Sequence, residues 1–369
     1  MRTREDRFAG ARAVNHENAV HSEALRDWLV ANIKGFSLPL TVEQFKGGQS
    51  NPTYKLFTSG RTYVLRRKPA GTLAKSAHAV DREFRVISAL HNIGFPVPRV
   101  FGLCTDESVI GSWFYVMEYV PGRVFWDASF PTMEREMRPR YFDEMNETLA
   151  RLHMLKPDAL ALGDYGRPSN YFERQISRWS RQYEADIEAA GRLIELDQLI
   201  QWLPAHIPPG EESSIVHGDF RCDNLIFHPS EPKILAVLDW ELSTLGHPLA
   251  DFTYHLMIYR IPAIGLAGLL NVDIAALNIP SESDYIAAYC QRTNRPGIAN
   301  LGFYMAYNIF RMAAIIHGIK ARLKRGTASS EDAAYLCETL EPFAKIAWEQ
   351  VQMAEGATGG GNDYASYRD

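Results

Sequence analysis

The sequence predicts an α+β fold with two lobes, a small β-rich N-terminal lobe and a larger helical C-terminal lobe. Three observations lead to this prediction. Short runs rich in β-branched and aromatic residues follow one another between residues 41 and 120. The segment 120–123, VPGR, is then typical of a turn. Beyond it, apolar residues recur at the spacing of long helices, and strand-like runs become rare.

The small lobe is expected to contain about five antiparallel strands and one helix. A separate helix over residues 18–34, which Asn18 can cap, is predicted ahead of it. The helix inside the lobe is predicted over 77–94 and ends at Gly94. Alternating β-branched and aromatic positions between turn residues predict strands within 41–48, 52–60, 61–69, 96–104 and 112–120.

The large lobe is predicted to be mostly helical, with three short strands at SIVHGDF, NLIFH and KILAVLDW. Its helices are expected at 134–155, 170–190, 195–206, 248–259, 281–293, 299–325 and 330–353. The Gly-rich, aperiodic end of the chain predicts disorder. The predicted organisation is a helical lead-in (1–39), a small lobe (40–120), a helical lobe (121–353) and a disordered tail (354–369).

Composition excludes several classes of protein. The chain has 369 residues, of which 46% are hydrophobic and 22% are charged, and its formal net charge is −5. A mildly acidic balance argues against a nucleic-acid or anionic-membrane binder, whose affinity depends on clustered Lys and Arg. No apolar run reaches the roughly 18 residues that a membrane helix needs. The N-terminal residues contain no apolar stretch of the kind found in secretion signals.

The four cysteines are scattered, at Cys104, Cys222, Cys290 and Cys337, and no two of them form a CxxC pair. A structural zinc site or a disulfide framework needs closer or paired spacing. Small reduced side chains in a cytoplasmic protein are therefore expected.

The main chemical signal is an ordered set of carboxylate and amide side chains. Asp219 and Asn224 are five residues apart in VHGDFRCDN, and Asp239 follows in LAVLDWE. In phosphoryl transfer, one carboxylate orients a substrate hydroxyl and accepts its proton, while an amide oxygen and a second carboxylate hold Mg²⁺ on the nucleotide phosphates. Alone, each Asp is more often a turn former or a helix cap. As a set with strand-like flanks, they predict a phosphotransferase site.

HGDFRCDN together with LDWE resembles the catalytic and metal-binding segments of the aminoglycoside phosphotransferase family, relatives of choline kinases and protein kinases. Within that family, the sequence is most similar to the kinase-like domains associated with acyl-CoA dehydrogenases. The resemblance covers residues 40–350 and implies a protein-kinase-like fold that binds ATP between its lobes. It implies Asp219 as the catalytic base and Asn224 and Asp239 as Mg²⁺ ligands. It also implies that His217 and Asp251 brace the catalytic loop.

A kinase-like site needs a cation on the nucleotide phosphates, held by a carboxylate on a helix. Arg66, in TYVLRRKP, stands where protein kinases have a strand lysine, and Glu83 follows on the predicted helix. Lys68 lies two residues after Arg66 on the same strand face. Arginine keeps the charge and can pair bidentately, so phosphate binding can survive the change. The sequence leaves the assignment open between Arg66 and Lys68.

Two further segments complete the expected nucleotide site. Gly47 and Gly48 in FKGGQSN would let backbone N–H groups approach phosphate oxygens, and Ser50 and Asn51 could add donors. A GG pair alone is more often a hairpin turn. In MEYVPG, the backbones of Glu118 and Val120 are expected to face the adenine ring.

The acceptor is expected to be a small hydroxylated molecule, a hydroxy acid or its acyl-CoA form. Residues 157–215 hold ten Asp and Glu against five Arg, whereas the helix over 299–325 carries five basic residues and no acid. The basic helix, including Arg311, could dock an anionic acceptor, although a solvated helix end is the commoner explanation. Trp240 and Tyr165 are the aromatic candidates for lining the acceptor site.

Three alternatives remain open from the sequence. An aminoglycoside antibiotic phosphotransferase would use the acidic segment for a polycationic acceptor. A pseudokinase would bind nucleotide without transferring phosphate, and the arginine at the lysine position favours it. A metal-dependent hydrolase could use the histidines and aspartates of the large lobe, but it would not need the features of the small lobe.

Overall fold

The computed structural model describes residue 5 and the segments 9–14, 20, 23–46, 51–69, 79–263, 267–327 and 331–358. The chain divides into two compact units. The first unit contains residues 1–126, 158–162 and 222–243, and the second contains residues 127–157, 163–221 and 244–369. The first segment of the first unit ends at residue 126, and the domain boundary was predicted near residue 120. The return of 222–243 to the first unit was not predicted.

An antiparallel sheet of six strands forms the frame of the first unit, one strand more than the number predicted. In their order across the sheet, the strands are β1 (Ala11–Ala13), β2 (Thr41–Phe45), β3 (Thr53–Phe57), β4 (Thr62–Arg67), β6 (Phe114–Glu118) and β5 (Val100–Cys104). The added strand, β1, lies in the predicted helical lead-in and pairs with the edge of β2.

Helices cover the two faces of this sheet. Helix α1 (Glu23–Asn32) buries Leu25 and Leu29 in a hydrophobic cluster with side chains from β3, β4 and β6. Because side chains alternate along a strand, Arg66 points away from that cluster. It points to the face that carries helix α2 (Val80–Asn92). A short helix α3 (Glu107–Ile110) joins β5 to β6.

The segment 222–243 contributes an antiparallel hairpin to the first unit, formed by β8 (Leu225–Phe227) and β9 (Ile234–Val237). The N–H of Val237 donates to the carbonyl of Pro96 at 2.8 Å, and Arg123 and Phe227 form a β-bridge. These backbone bonds attach the hairpin to the rest of the unit.

The second unit is mainly helical. Helix α9 (Leu301–Lys324) forms its centre, and seventeen of the 24 residues of this helix are buried, so it is apolar on nearly every side. A two-stranded sheet pairs β7 (Ser214–Val216) with β10 (Thr244–Gly246). The helices are α4 (Arg138–His153), α5 (Tyr171–Ala190), α6 (Ile194–Ala205), α7 (Pro248–Leu256), α8 (Glu282–Arg292), α9 (Leu301–Lys324), α10 (Glu331–Cys337) and α11 (Leu340–Thr358).

The C-terminal helical region departs from the prediction in two ways. The single helix predicted over 330–353 is two helices, because the ring of Pro342 excludes the carbonyl of residue 338 from a continuous helix. Helix α11 also continues to Thr358, so residues 354–358 are helical rather than part of a tail. No helix in the described part of the chain combines the length and the apolar composition that crossing a bilayer requires.

Candidate active site

Arg66 is the centre of a polar cluster in the first unit. Its side chain is 8% exposed, and its Nε lies 2.9 Å from Oε2 of Glu83. Its Nη2 lies 2.5 Å from Oδ1 of Asp239 and 3.3 Å from Oε2 of Glu241. One guanidinium therefore contacts three carboxylates, from α2 and from the segment that follows β9. The cluster carries more acid than base.

Glu83 is held from several sides. It lies in the first turn of α2 and is 1% exposed. The hydroxyl of Tyr115 donates to its Oε2 at 3.1 Å, and the amide of Asn51 donates to its Oε1 at 2.9 Å. Both carboxylate oxygens thus have donors, as a buried charge requires. Burial raises the pKa of Glu83, and the neighbouring Arg66 opposes that shift.

The charge of Arg66 is secured by its neighbours. Burial by itself would lower the pKa of the guanidinium, but the carboxylates of Asp239 and Glu83 outweigh burial and raise the pKa above its ordinary value. Lys68 has a different environment, because its Nζ lies 4.3 Å from the centre of the Trp113 ring. The structure thus brings Arg66, and not Lys68, to Glu83 and Asp239.

Asn224 and Asp239 flank the β8–β9 hairpin, and the N–H of Leu238 donates to the carbonyl of Asn224 at 2.8 Å. Asp239 adopts a left-handed backbone with φ of 63°, and its side chain is 31% exposed. Amide and carboxylate oxygens are ligands that suit Mg²⁺. Among the described residues, no three His, Cys, Asp or Glu side chains gather to hold a metal. The pair would therefore need nucleotide phosphates and water to complete a magnesium shell.

The structure describes only some of the other residues that were predicted to bind the nucleotide. Gly47, Gly48 and Ser50 lie outside the described residues. Asn51 is fully buried, and its amide also donates to Oε2 of Glu241 at 3.1 Å, so its donors serve carboxylates. The N–H of Glu118 donates to the carbonyl of Arg99 at 2.7 Å, and Val120 follows in the adjoining loop.

In the second unit, Asp251 holds the loop that follows β7. Its carboxylate accepts the N–H groups of His217 at 2.6 Å and Gly218 at 2.8 Å, and it lies 3.2 Å from Nε2 of His153. The backbone of Gly218 is left-handed, with φ of 83°, which favours glycine there. Burial would raise the pKa of Asp251, but these hydrogen bonds and the nearby histidines lower it.

Asp219 lies in the middle of this loop, and two side chains contact its carboxylate. The hydroxyl of Tyr254 donates to its Oδ1, and Nε of Arg221 lies 3.0 Å from the same oxygen. The side chain of Asp219 is 18% exposed. Its own N–H donates to Nδ1 of His217 at 3.1 Å, so His217 bonds the loop internally. This is the geometry that a bracing role for His217 needs.

The three predicted acceptor residues are all buried. Trp240 is 1% exposed and donates its indole N–H to the carbonyl of Val237, and Tyr165 is 1% exposed. Arg311 is 7% exposed and donates to the carbonyl of Gly218 at 2.8 Å, so it does not belong to an exposed basic face. Arg325, at the exposed end of α9, donates to Asp186 at 2.7 Å. This ion pair joins the basic segment 299–325 to the acidic segment 157–215, so the charges of the two segments partly neutralise each other.

Sequence reasoning missed Glu241 and Tyr254 as residues of these clusters. Glu241 closes the recognised motif LDWE, so its position was visible although its contacts were not. Tyr254 lies three residues after Asp251, a spacing that puts both side chains on one face of α7. That spacing was the available signal.

The chain is similar to known proteins over most of its length. Residues 41–278 match the family described as the phosphotransferase enzyme family. The chain is 43% identical over 341 residues to acyl-CoA dehydrogenase family member 10 of Mus musculus, which covers 92% of this chain and 32% of that protein. It is 40% identical over 332 residues to family member 11 of Homo sapiens, which covers 88% of this chain and 42% of that protein.

The chain therefore spans a third to less than half of the length of these curated relatives. A solved structure from Ralstonia eutropha, assigned provisionally as an aminoglycoside phosphotransferase, is 48% identical and superposes with a TM-score of 0.82. That match covers 90% of this chain and 98% of the other. The kinase-like α+β fold expected from the sequence is confirmed by this superposition.

Proposed function

The chain belongs to the phosphotransferase enzyme family, and on this premise we propose that it transfers the γ-phosphate of ATP, with Mg²⁺, to a hydroxyl group of a small molecule. The observation that carries the proposal is the contact of Arg66 with both Glu83 and Asp239 in the first unit. A cation held by a helix carboxylate beside a metal-binding aspartate is the arrangement that nucleotide phosphates require.

Arg66 is the residue that we assign to the phosphates. The carboxylate of Glu83 fixes the guanidinium from one side, so its orientation is set before a nucleotide arrives. Contacts of Gly47, Gly48 and Ser50 with phosphates, and of the Glu118 and Val120 backbones with adenine, stay predictions. Asn51 fits better as a bridge between Glu83 and Glu241 than as a phosphate donor.

Asn224 and Asp239 are the residues that would hold Mg²⁺. The partly exposed carboxylate of Asp239 and the acidic excess around Arg66 both suit a divalent cation. Such an ion, when bound, would neutralise charge on the nucleotide phosphates. On the protein side, Asp239 must serve Arg66 and the metal together, which its two oxygens permit.

Asp219 would act as the base. As the acceptor oxygen forms its bond to the γ-phosphorus and the bond to the leaving ADP breaks, the hydroxyl proton passes to the Asp219 carboxylate. The loop around it is fixed by Asp251, so the carboxylate needs little reorganisation during the reaction.

We propose a hydroxy acid or its acyl-CoA form as the acceptor. The names of the curated relatives support this choice, since proteins named as acyl-CoA dehydrogenase family members contain a region similar to this chain. An aminoglycoside is the second candidate, because the Ralstonia eutropha relative is assigned to that activity.

A substrate screen coupled to ADP release tests the proposal. Purified protein is given Mg·ATP or Mg·GTP with 3-hydroxybutyrate, 3-hydroxybutyryl-CoA or kanamycin, and each reaction is repeated with EDTA. We expect turnover with ATP and a hydroxyacyl compound, and none with EDTA or in Asp219→Ala. Efficient turnover of kanamycin alone would favour the second candidate.

Binding of ATP without turnover by wild type and variant alike would identify a nucleotide-binding pseudokinase. Hydrolysis of 3-hydroxybutyryl-CoA in the absence of ATP, measured as released CoA thiol, would instead point to the hydrolase alternative. The control variant is Asp273→Asn. Asp273 is an exposed aspartate of the second unit, and its Oδ1 accepts the N–H of the nearby Ala276.

A further inference from the structure

Helix α7 contacts the Asp219 loop at two points on one face. Asp251 binds the N–H groups of His217 and Gly218, and Tyr254, one helical turn later, binds the carboxylate of Asp219. Residues three apart lie on the same helix face, so one rigid element fixes both the backbone and the reactive side chain of the loop. The helix start is itself defined, because His247 caps it by accepting the N–H of Leu249.

The side chain of Tyr254 has little freedom to move. It is 3% exposed, and the guanidinium carbon of Arg311 lies 5.0 Å from the centre of its ring. Arg311 also donates to the carbonyl of Gly218 and lies 6.0 Å from the ring of Trp179. The same arginine therefore braces the loop backbone and the tyrosine that holds the loop's carboxylate.

Tyr254 can act only as a donor in this contact. Burial, and then the charge of Asp219, raise the pKa of the phenol well above its ordinary value. The hydroxyl thus keeps its proton over the whole range in which an enzyme of this kind works, and a protonated phenol offers its hydrogen to the carboxylate. Arg221 contacts the same oxygen, so both neighbours favour a single orientation of Asp219.

We propose that Tyr254 is a positioning residue that fixes the orientation of the Asp219 carboxylate for proton acceptance, with Arg311 as its brace. The inference rests on the proposed function, because it assigns a partner to the base of that reaction. Tyr254 exchanges no proton itself: the acceptor hydroxyl loses its proton to Asp219, the new O–P bond forms, and ADP leaves.

Tyr254→Phe tests this role, since it removes the hydroxyl and keeps the ring that Arg311 contacts. ADP release from Mg·ATP is measured with the screened acceptor that gives the highest wild-type rate, or with water as acceptor if no compound does. We expect kcat to fall about 10- to 100-fold, because hydrogen bonds to charged groups are the stronger class. The KM for ATP is expected to stay within about twofold.

Tyr259→Phe is the matched control. The Tyr259 hydroxyl donates to the carbonyl of Pro280 at 3.0 Å, so the control loses a tyrosine hydrogen bond without touching Asp219. We expect near-wild-type kcat in the control. Equal losses of kcat in both variants, or wild-type kcat in Tyr254→Phe, would overturn the positioning role.

A double-mutant cycle separates positioning from general destabilisation. If Tyr254 acts through Asp219, Tyr254→Phe should change the residual rate of Asp219→Asn by less than about twofold. If Tyr254→Phe lowers the rate of Asp219→Asn by the same factor as it lowers the wild-type rate, the proposal is contradicted. It is also contradicted if Tyr254→Phe lowers the melting temperature and changes kcat and KM together. If Asp219→Asn itself retains wild-type turnover, the proposed function fails first, and the two failures are thereby distinguished.

Discussion

At the residue scale, Arg66 differs chemically from the strand lysine that serves the nucleotide phosphates in protein kinases. A guanidinium presents donors in a planar fork, whereas an ammonium is a compact point charge. In this protein, one nitrogen faces Glu83 and another faces Asp239 and Glu241. An arginine can therefore contact the helix carboxylate and the carboxylates after β9 at the same time.

Arg66→Lys should be a damaging substitution although it keeps the charge. A lysine cannot reproduce the contacts on both sides, and each lost hydrogen bond to a charged group costs about 1.5–3 kcal/mol. We expect the KM for ATP to rise about tenfold or more, measured by ADP release at saturating acceptor.

Arg67→Lys provides the control for this change. Arg67 is also buried, but it lies on the opposite face of β4, with its guanidinium carbon 5.8 Å from the centre of the Tyr54 ring. Its substitution should leave the KM for ATP close to wild type. The same rise in KM in both variants would argue against a specific role for Arg66.

At the residue scale, a local sequence pattern reveals candidate residues more readily than it reveals their contacts. The spacing of Asp219, Asn224 and Asp239 is a local pattern, so it could be recognised without coordinates. The burial of Trp240 could not, because a short 3-10 turn after Asp239 directs the indole to the carbonyl of Val237. A sequence position next to a functional residue does not decide which way a side chain points.

At the element scale, Asp251 is one of the two residues through which helix α7 holds the Asp219 loop. This carboxylate lies in the first turn, where the helix dipole favours negative charge, and it is 2% exposed. Removing one member of a buried, charge-assisted group leaves its partners unsatisfied. The cost of substitution should therefore appear as lost stability.

Asp251→Asn should lower the free energy of unfolding by about 3 kcal/mol at neutral pH. The folded-state pKa of Asp251 is lowered, so the carboxylate contributes stability above its unfolded-state pKa near 4 and loses it as pH falls through the folded-state pKa. The gap between wild type and variant should thus be largest above about pH 5 and shrink below about pH 4.

Urea unfolding at several pH values measures this gap. Asp273→Asn serves as the control, because Asp273 is exposed and its Oδ1 accepts the N–H of the nearby Ala276. A gap between wild type and Asp251→Asn that stayed constant from pH 3 to pH 7 would contradict the assigned direction of the pKa.

Predictability at the element scale follows the strength of the periodic pattern. Strands β2 to β6 and helix α9 have clear alternation or helical spacing, and each lies within a predicted range. Strand β1 has the sequence Ala-Arg-Ala, which carries no strand preference, and it forms because the edge of β2 offers backbone partners. The break before α11 was readable in principle, from Pro342.

At the scale of the whole molecule, the proposed chemistry is divided between the two units. The first unit contains Arg66, Asn224 and Asp239, and the second contains Asp219. Nucleotide binding and proton acceptance should therefore respond separately to substitution. The sequence could not predict this division, because it depends on where the segment 222–243 packs.

Ligand-induced stabilisation can measure nucleotide binding separately from proton acceptance. A ligand that binds only the folded protein at about 100 times its Kd adds roughly 2.7 kcal/mol of stability. We expect Mg·ATP to raise the melting temperature of wild type and of Asp219→Asn by similar amounts. EDTA, or Asp239→Asn, should remove most of the shift. A shift lost in Asp219→Asn and kept in Asp239→Asn would reverse the assigned roles.

The separation of the first unit into distant chain segments has a consequence during synthesis. Residues 127–221 are translated between its main segment and the β8–β9 hairpin, which at about 5–20 residues per second takes roughly 5–20 seconds. During that delay, Arg66 and Glu83 have already been synthesised, but Asp239 and Glu241 have not. Co-translational folding of the first unit therefore cannot finish until residue 243 has been added, by which time much of the second unit's chain already exists.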